Sequence, residues 1–403
     1  MLRPALPGRG NGPAATLRCE AMPTGPDALP RTTAVLAEGM REGLHLGAQL
    51  YVSRAGTPVA DVALGLARPG VAMTPETLML WFSSTKALVA VAVAQCWERG
   101  LLDLDDPVAR HIPEFAAHGK ERVTIRHVLT HTAGFRWADR FGKVDGPFAV
   151  SWEESLRRIC EAPLEPGWVP GETAGYHPTS GMFVLGEIVR RRDGRPFDRY
   201  VREAICEPLG MRDTWVGMPP ARYRAYGDRI GLMHNTATGT PRPLKRLDSE
   251  EVAARCVPGA NGRGPIRELG FLYEMLCGRG TRAGVRLLSP QAVEALSARH
   301  RTGLLDQSFG IVIDWGLGFI IDAVIYGRHA SRRTFGHGGA QSSVGFCDPE
   351  HALVVACVTN GMPGRLRHYP RFEAIASAIY EDLGLAAPGS AGRQRAMPTT
   401  ELA

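Results

Sequence analysis

The stretch Trp81-Phe82-Ser83-Ser84-Thr85-Lys86, with the apolar run from Ala87 to Ala94 behind it, is the most informative part of this chain. The run predicts a buried helix over residues 83–99. Ser83 then lies at the helix N-terminus, and Lys86 follows one turn later on the same face. A helix N-terminus supplies positive potential and free backbone N–H groups, which suit a developing oxyanion.

Lysine is rare in this sequence, because only four of the 47 basic residues are lysines. The apolar helix removes water from the Lys86 amine, which favours its neutral form. A neutral amine accepts the proton of a nearby serine hydroxyl, whereas an arginine guanidinium keeps its own proton. The S-x-x-K spacing alone is weak, since a helix-capping serine followed by a surface lysine gives the same pattern.

Two further segments strengthen the interpretation. Gly171-Glu-Thr-Ala-Gly-Tyr176-His177-Pro178 places a tyrosine at the end of a glycine-rich loop, just before a predicted helix over 180–194. A phenol there is placed to hydrogen-bond both Ser83 and Lys86. His337-Gly338-Gly339-Ala340 follows a β-like run, and its small residues let a substrate lie along the strand.

Other catalytic motifs are absent from the sequence. It contains no G-x-S-x-G nucleophile elbow, no H-E-x-x-H, no phosphate loop and no G-x-G-x-x-G. Its eight cysteines form no C-x-x-C pair and are predicted to be free and mostly buried, which disfavours a zinc site. His127 and His131 stand four residues apart, but a structural role is favoured over a metal site. No cofactor and no metal are expected.

Composition describes an ordinary globular chain of 403 residues, with 44% hydrophobic and 22% charged residues. The net charge of +6 is spread along the chain, so a solvated surface is favoured over a nucleic-acid face. No apolar run reaches the roughly 18–20 residues of a membrane span. Residues 1–30 lack the apolar core of a secretory signal. The sequence therefore predicts a cytoplasmic protein with no nucleic-acid or membrane partner.

Strand-like patterns lie at both ends of the chain and helical patterns between them. This predicts a composite of α/β and all-α parts, in which an antiparallel sheet with flanking helices is built from both chain ends and carries a large helical insertion. The active site is expected in the cleft between the two parts. Residues 1–30 and 386–403 are predicted to be disordered tails around one catalytic domain, 31–385. Within it, 31–82 and 305–385 form the α/β part and 83–304 the mainly helical part.

The predicted elements are as follows. A helix begins at Thr32 and ends at Gly47, and a hairpin pairs 48–53 with 59–66. Further helices are predicted over 125–131, 197–206, 266–277 and 371–382, and strands over 315–321, 332–335, 344–347 and 353–359.

Several longer motifs accompany the S-x-x-K segment and make a family resemblance plain. They are Val123-Thr-Ile-Arg-His-Val-Leu-Thr-His-Thr-Ala-Gly134, Val184-Leu-Gly-Glu-Ile-Val189, Cys206-Glu-Pro-Leu-Gly-Met211 and Leu287-Leu-Ser-Pro290. Over about residues 32–383 the chain resembles the β-lactamase-related serine hydrolases, on the branch of class C β-lactamases and penicillin-binding-protein-like esterases. That resemblance implies a β-lactamase/transpeptidase-like fold.

The resemblance also implies roles for residues of the matching motifs. Ser83 corresponds to the acylated nucleophile, Lys86 to its base partner and Tyr176 to the group that passes a proton to the leaving group. The backbone N–H groups of Ser83 and Ala340 correspond to the oxyanion hole. The predicted substrate-binding residues are His337, Gly338, Gly339, His177 and Trp81, although core packing is the safer expectation for Trp81 and the role of His177 stays open.

Two departures from the family pattern bear on the substrate. Pro178 replaces the asparagine of the usual Tyr-x-Asn motif, so no side-chain amide is available for an acylamino group. His337 replaces a common lysine, and a near-neutral imidazole is a poor anchor for a carboxylate. Both favour cleavage of a small or medium carboxylic ester over β-lactamase or D-aminopeptidase activity. Acyl transfer to an amine or alcohol and a non-catalytic acyl-ligand sensor remain as alternatives, and the oligomeric state is open.

Overall fold

Strands from the two ends of the chain pair in one eight-stranded antiparallel sheet in the computed structural model, which describes residues 26–138, 148, 150–386 and 395–398. The spatial order is β4-β5-β6-β7-β8-β1-β2-β3. The sheet predicted from both chain extremities is therefore confirmed. The strands are β1 Gly47–Arg54, β2 Thr57–Arg68, β3 Val71–Ala72, β4 Asp314–Trp315, β5 Ile320–Ile321, β6 Phe335–Gly339, β7 Ser343–Asp348 and β8 Leu353–Thr359.

Two neighbouring inner strands of the sheet join the first and last parts of the chain. β1 pairs with β8 in a register that sets Leu50 opposite Cys357. Both strands are buried on both faces because side chains alternate between two cores. Leu50 belongs to the core on one face, whereas its neighbour Tyr51 belongs to the core on the other. This alternation fixes the register, since a one-residue slip would exchange the two faces.

Eleven α-helices are found among the described residues. α1 and α11 pack against each other on one face of the sheet, and α9 covers the other face. α2 lies within the helical part, where it packs on α5. The helices are α1 Pro30–Arg41, α2 Lys86–Glu98, α3 Ile125–Leu129, α4 Trp152–Glu161, α5 Ser180–Asp193, α6 Phe197–Val201, α7 Pro220–Tyr226, α8 Glu250–Ala254, α9 Ile266–Cys277, α10 Pro290–Ser297 and α11 Arg365–Asp382.

The middle of the chain also contains short strands that the sequence patterns did not predict. Met79–Leu80 and Trp215–Val216 flank Gly262–Gly264 in a three-stranded sheet beside the start of α2. The remaining short strands are His234–Asn235, Arg242–Pro243, Thr281–Arg282, Val285–Arg286, Leu305–Asp306, Ile311–Val312 and Gly361–Met362.

Several predicted boundaries differ from the structure. The first helix ends at Arg41 rather than Gly47, because Gly43 has a φ of 69° and turns the chain. The predicted strand 315–321 is split into β4 and β5, since Gly318 between them has a φ of 85°. The predicted strand 332–335 is shifted to β6. The predicted helix 197–206 is α-helical only to Val201 and continues as a π-helix.

The chain ends bear on two earlier expectations. Pro30 begins α1, and Arg395 donates hydrogen bonds into the body of the protein, so the predicted disorder does not extend to Pro30 or to residues 395–398. The rest of both tails lies outside the described residues. No helix within those residues is long and apolar enough to cross a membrane. The domain boundaries and the cytoplasmic location stay predictions.

Candidate active site

Ser83 stands where the backbone makes a sharp turn between the short strand Met79–Leu80 and α2. Phe82 has φ 46° and ψ −132°, a conformation that residues with a side chain rarely adopt, and it is followed by a 3₁₀ turn over Ser83–Thr85. Thr85 holds this turn, because its hydroxyl accepts a 2.8 Å hydrogen bond from the Gly262 amide. Strain next to a reactive group is common at functional sites, since the surrounding fold must hold it.

Lys86 is buried and reaches three acceptors. Its Nζ lies 3.0 Å from Ser83 Oγ, 2.6 Å from the Pro178 carbonyl oxygen and 2.9 Å from the Gly259 carbonyl oxygen. Only 1% of the residue is exposed. The lysine therefore contacts the serine one turn away, in the dry surroundings that the apolar helix predicted.

This arrangement serves both protonation states of the Lys86 amine. An ammonium donates one N–H to each of the three oxygens. A neutral amine donates its two N–H groups to the carbonyls of Pro178 and Gly259, and its lone pair then faces the Ser83 hydroxyl. The two carbonyls thus orient a neutral amine so that its lone pair points at the Ser83 hydroxyl.

Tyr176 completes the contacts of the serine. Its phenol donates a 2.7 Å hydrogen bond to Ser83 Oγ. Burial raises the pKa of Tyr176 above its usual value, and the Ser83 hydrogen bond only partly offsets this. The phenol is therefore protonated at neutral pH and acts as a donor. Its ring packs against His131, with 4.7 Å between centroids, and against Phe309 at 5.1 Å.

A buried ion pair, which the sequence patterns did not identify, positions Tyr176. Arg301 donates a 2.9 Å hydrogen bond to Asp306 Oδ2, and at most 1% of either side chain is exposed. The other oxygen of Asp306 accepts the backbone N–H of Tyr176 at 3.2 Å and that of Phe309 at 3.1 Å. Asp306 is 130 residues from Tyr176, so no local pattern reveals the contact.

β6 passes directly beside the nucleophile segment. A Cβ on Gly339 would collide with the Trp81 carbonyl oxygen, so only glycine permits this approach. Ser343 Oγ donates a 2.6 Å hydrogen bond to that same carbonyl and lies 2.8 Å from Ser84 Oγ. Within the described chain, no acceptor takes the backbone N–H of Ser83 or that of Ala340, which follows β6. Both amides remain available to a ligand.

The pocket above Ser83 has a volume of about 310 Å³. Of the predicted residues, Ser83, Tyr176, His337, Gly338, Gly339 and Ala340 line it. Lys86 is not part of this lining; it lies beneath Ser83 and contacts the serine hydroxyl through Nζ. The sequence analysis missed several lining residues from distant parts of the chain, namely Phe309, Ile320, Ile325, Arg365 and Tyr369.

The structure does not bring Trp81 and His177 into this pocket. Trp81 is fully buried in the core, and its indole donates to the Gly264 carbonyl at 3.0 Å. The His177 ring is also buried, and its Nε2 accepts the Phe135 backbone N–H at 3.2 Å. Both residues hold the surrounding segments in place. Neither side chain lines the pocket, which agrees with the core packing favoured for Trp81 and places the undecided His177 in the core as well.

His337 lines the pocket as a neutral imidazole. Burial, together with the positive charge of the nearby Lys86, lowers the pKa of His337 to about 3. Its Nδ1–H donates to the Gly338 carbonyl at 2.7 Å, and Nε2 has no partner among the described residues. A neutral imidazole whose Nε2 carries a lone pair does not attract a substrate carboxylate.

The metal alternative finds no support in the geometry of the histidines. The described residues contain no group of three or more His, Cys, Asp or Glu side chains able to share an ion. His127 accepts a 3.3 Å hydrogen bond from the Thr124 amide at the start of α3, and His131 accepts one at 3.0 Å from the His177 amide. Seven cysteines are free in the described chain, as expected, and Cys19 lies outside it.

A serine hydroxyl placed between a lysine amine and a tyrosine phenol, with two free amides beside it, fits a serine hydrolase that works through an acyl-enzyme. Comparison with known proteins agrees with this class. The family model described as Beta-lactamase matches residues 32–379, and the chain belongs to this family. The resemblance inferred from the sequence motifs is thus confirmed.

Two relatives carry the word esterase in their names. Esterase EstB of Burkholderia gladioli is 32% identical over 392 residues, which cover 87% of this chain and 94% of EstB. The esterase/beta-lactamase LipL of Mycobacterium tuberculosis is 28% identical and covers 82% of this chain and 80% of LipL.

Solved structures support the same fold. A penicillin-binding-protein homologue from Caulobacter crescentus is 32% identical with a TM-score of 0.76, covering 89% of this chain and 99% of its own. A family VIII carboxylesterase is 26% identical with a TM-score of 0.76, covering 88% and 97%. The fold is therefore the β-lactamase/transpeptidase-like fold that the resemblance implied.

Proposed function

We propose that the protein is a carboxylesterase that cleaves small or medium esters through an acyl-enzyme on Ser83. The observation that carries this proposal is the pair of contacts on one hydroxyl, 3.0 Å to Lys86 Nζ and 2.7 Å to Tyr176 Oη, at the base of an open pocket. The esterase names of EstB and LipL support the choice of substrate class.

Acylation begins when the neutral amine of Lys86 accepts the Ser83 proton. The oxygen of Ser83 then forms a bond to the ester carbonyl carbon, and the electron pair of the C=O moves to its oxygen. The backbone N–H groups of Ser83 and Ala340 donate to that oxyanion. A preformed pair of donors is effective because it needs no reorganisation when the charge appears.

Tyr176 carries the proton to the leaving group. The raised pKa keeps the Tyr176 phenol protonated, so the phenol is not the group that accepts the Ser83 proton. It gives its proton to the departing alkoxide, which is the more basic oxygen, and regains one from the Lys86 ammonium. The C–O bond of the ester breaks as the carbonyl re-forms. Water then attacks the acyl-enzyme with the same groups in reverse, which releases the acid and restores Ser83.

The departures from the family pattern support an ester over a β-lactam. The only polar group that Pro178 offers a substrate is its carbonyl oxygen, which already accepts a 2.6 Å hydrogen bond from Lys86 Nζ. His337 is neutral and therefore does not hold a carboxylate. A simple ester requires neither an acylamino contact nor a carboxylate anchor.

Covalent labelling tests the proposal. We expect an alkyl fluorophosphonate to add one phosphonyl group to the wild-type protein, as measured by intact mass, and none to Ser83→Ala. Ser84→Ala is the matched control, because it removes the adjacent hydroxyl and keeps Ser83. An adduct on Ser83→Ala contradicts the assignment, and an absence of p-nitrophenyl acetate turnover in the wild type favours the non-catalytic sensor.

Acyl transfer is a second candidate that uses the same steps with an alcohol or amine instead of water. A cavity of about 280 Å³ shares Gln341, Met362 and Arg365 with the active-site pocket, which gives an acceptor a place to bind. The ratio of free acid to acyl conjugate, measured with added alcohols and amines, separates transfer from hydrolysis.

A further inference from the structure

A second cavity, with a volume of about 300 Å³, adjoins the active-site pocket. Phe309, Ile320, Ile325 and Tyr369 line both spaces, so the two cavities border each other along these four residues. Phe309 also packs on the ring of Tyr176, which contacts Ser83. The second cavity is therefore next to the reacting atoms.

The lining of this second cavity is mostly aliphatic. Val312, Ile313, Ile321 and Val324 contribute to it together with the four residues that line both spaces. Val312 is 52% exposed, so the cavity has an apolar edge in contact with solvent. An apolar concave surface beside a reactive serine is suited to an uncharged part of a substrate.

The charged groups around the cavity are neutralised by one another. Asp322 Oδ1 accepts a 2.7 Å hydrogen bond from Arg395 Nε, and Asp314 Oδ2 accepts one of 2.8 Å from Arg299. Because both carboxylates are paired with arginines, the cavity offers no single charge to a ligand. This argues against a charged occupant and for a hydrocarbon one.

Residues 395–398 form one side of the cavity. Ala396 and Pro398 line it, and the adjacent Arg395 anchors them to Asp322, which lies 73 residues earlier in the chain. Besides Asp322, Arg395 donates to the carbonyls of Gly327 at 2.7 Å and Ala330 at 2.9 Å. Only 7% of the Arg395 side chain is exposed. Three hydrogen bonds from this largely buried side chain fix the wall in place.

We propose that this cavity receives an uncharged apolar arm of the ester that Ser83 attacks, and that Arg395 is the positioning residue for its outer wall. The proposal rests on the proposed function and narrows its substrates to esters with a hydrocarbon arm. The volume equals that of about ten water molecules in the liquid, which gives room for an arm of about four to eight carbons.

The chain-length dependence of hydrolysis tests the proposal. We expect kcat/KM of the wild type to rise about two- to fourfold per methylene, since each buried methylene adds that much to transition-state binding. One series lengthens the acyl group from p-nitrophenyl acetate to octanoate. A second keeps the acetyl group and lengthens the alcohol from ethyl to octyl. The series that rises identifies which arm enters the cavity.

Two variants locate the effect in this cavity. Ala323 lines the second cavity but not the active-site pocket, so Ala323→Phe fills the second cavity. Arg395→Ala removes the hydrogen bonds that hold residues 395–398 against this cavity. We expect the ratio of kcat/KM for the long ester to that for the short ester to fall at least tenfold in each. Arg328→Ala is the matched control, because it removes a nearby arginine that pairs only with Glu373 among the described residues.

The ratio is independent of the folded fraction, so a destabilised variant still gives an answer. A flat series in a wild type that cleaves acetate overturns this inference and leaves the proposed function intact. If no ester is cleaved, the proposed function fails and the cavity is tested by titration calorimetry with 1-octanol. Loss of octanol binding in Ala323→Phe then supports the cavity, and equal or absent binding in both proteins overturns it.

Discussion

Lys86 and Lys120 are both buried and both reach three oxygens, yet one of the three oxygens differs in chemical type. Lys120 donates to the carbonyls of Ala117, Cys160 and Ala162, whereas Lys86 has the Ser83 hydroxyl in place of one carbonyl. Three carbonyls use all three N–H groups of an ammonium. Two carbonyls and a hydroxyl also suit a neutral amine, so the same burial gives a structural lysine in one region and a candidate base in the other.

The scarcity of lysine in the sequence does not by itself distinguish a candidate base from a structural lysine. The sequence keeps lysine at Lys86 and Lys120 alike, although only one of them contacts a serine hydroxyl. Burial lowers the pKa of the Lys120 amine, although its three hydrogen-bond acceptors in the described chain are all backbone carbonyls. A lowered pKa alone therefore does not identify a base. The two lysines are distinguished by their third hydrogen-bond partner, which is a serine hydroxyl for Lys86 and a carbonyl for Lys120.

Replacing each lysine by methionine separates the two roles most strongly. We expect Lys86→Met to lower kcat/KM for p-nitrophenyl butanoate about a thousandfold, because the base is lost. Lys120→Met keeps kcat/KM per folded molecule. Both variants leave backbone carbonyls unpaired, so each lowers the free energy of unfolding by about 3 kcal/mol, measured by urea denaturation.

A substitution by arginine tests whether residue 86 must be able to lose a proton. Lys86→Arg keeps a positive charge and hydrogen-bond donors but does not release a proton at neutral pH. We expect it to be as inactive as Lys86→Met. Substantial activity in Lys86→Arg, or an equal loss of turnover in Lys120→Met, contradicts the distinction between the two regions.

Tyr176→Phe is expected to have the next largest effect, and the effect depends on the leaving group. Loss of the proton donor lowers kcat about a hundredfold for an ethyl ester, whose alkoxide needs a proton to depart. The loss is about tenfold or less for a p-nitrophenyl ester, which leaves as a stable anion. Stopped-flow and pH-stat assays of the two esters measure this difference.

Tyr200→Phe is the matched control, since Tyr200 is also buried and its phenol bonds Gln95 far from the pocket. Equal losses for both esters in Tyr176→Phe contradict a role in leaving-group protonation and leave only a structural one.

The parts of the site that were predictable from sequence are local or carried by motifs. The turn from Ser83 to Lys86 follows from helical spacing, and the positions of Tyr176 and His337 follow from the family resemblance. Asp306, Phe309 and Arg395 were missed, because their contacts join segments far apart in the chain and leave no periodic pattern. Trp81, for which core packing was the safer expectation, and His177, whose role was left open, are both buried in the core next to the site.

The fold shows the same division. The sheet from both chain ends was predictable, because β1, β7 and β8 have apolar runs of ordinary strand length. β4 and β5 have two residues each, and a glycine with positive φ interrupts the apolar run between them. Hydrophobic pattern does not detect such a break, because the apolar residues continue across it.

The smallest predicted effect concerns the buried histidines beside Lys86. The described contacts of Lys120 include no buried histidine. Burial lowers the pKa of His177 to about 3, against an unfolded value near 6.5. As pH falls below 6.5 the unfolded chain binds a proton before the folded one, so stability is full above pH 6.5 and is lost toward pH 3. Each such histidine contributes a slope of about 1.4 kcal/mol per pH unit.

We expect His177→Asn, whose amide oxygen can accept the Phe135 N–H, to make the slope of unfolding free energy between pH 6 and 4 shallower by about that amount. His351→Asn is the control, because that ring is partly exposed on the far side of the sheet and packs on Tyr380. Urea denaturation at each pH gives both slopes. An unchanged slope in His177→Asn means that this ring takes up its proton in the folded protein, which contradicts the dry surroundings assigned to the Lys86 region.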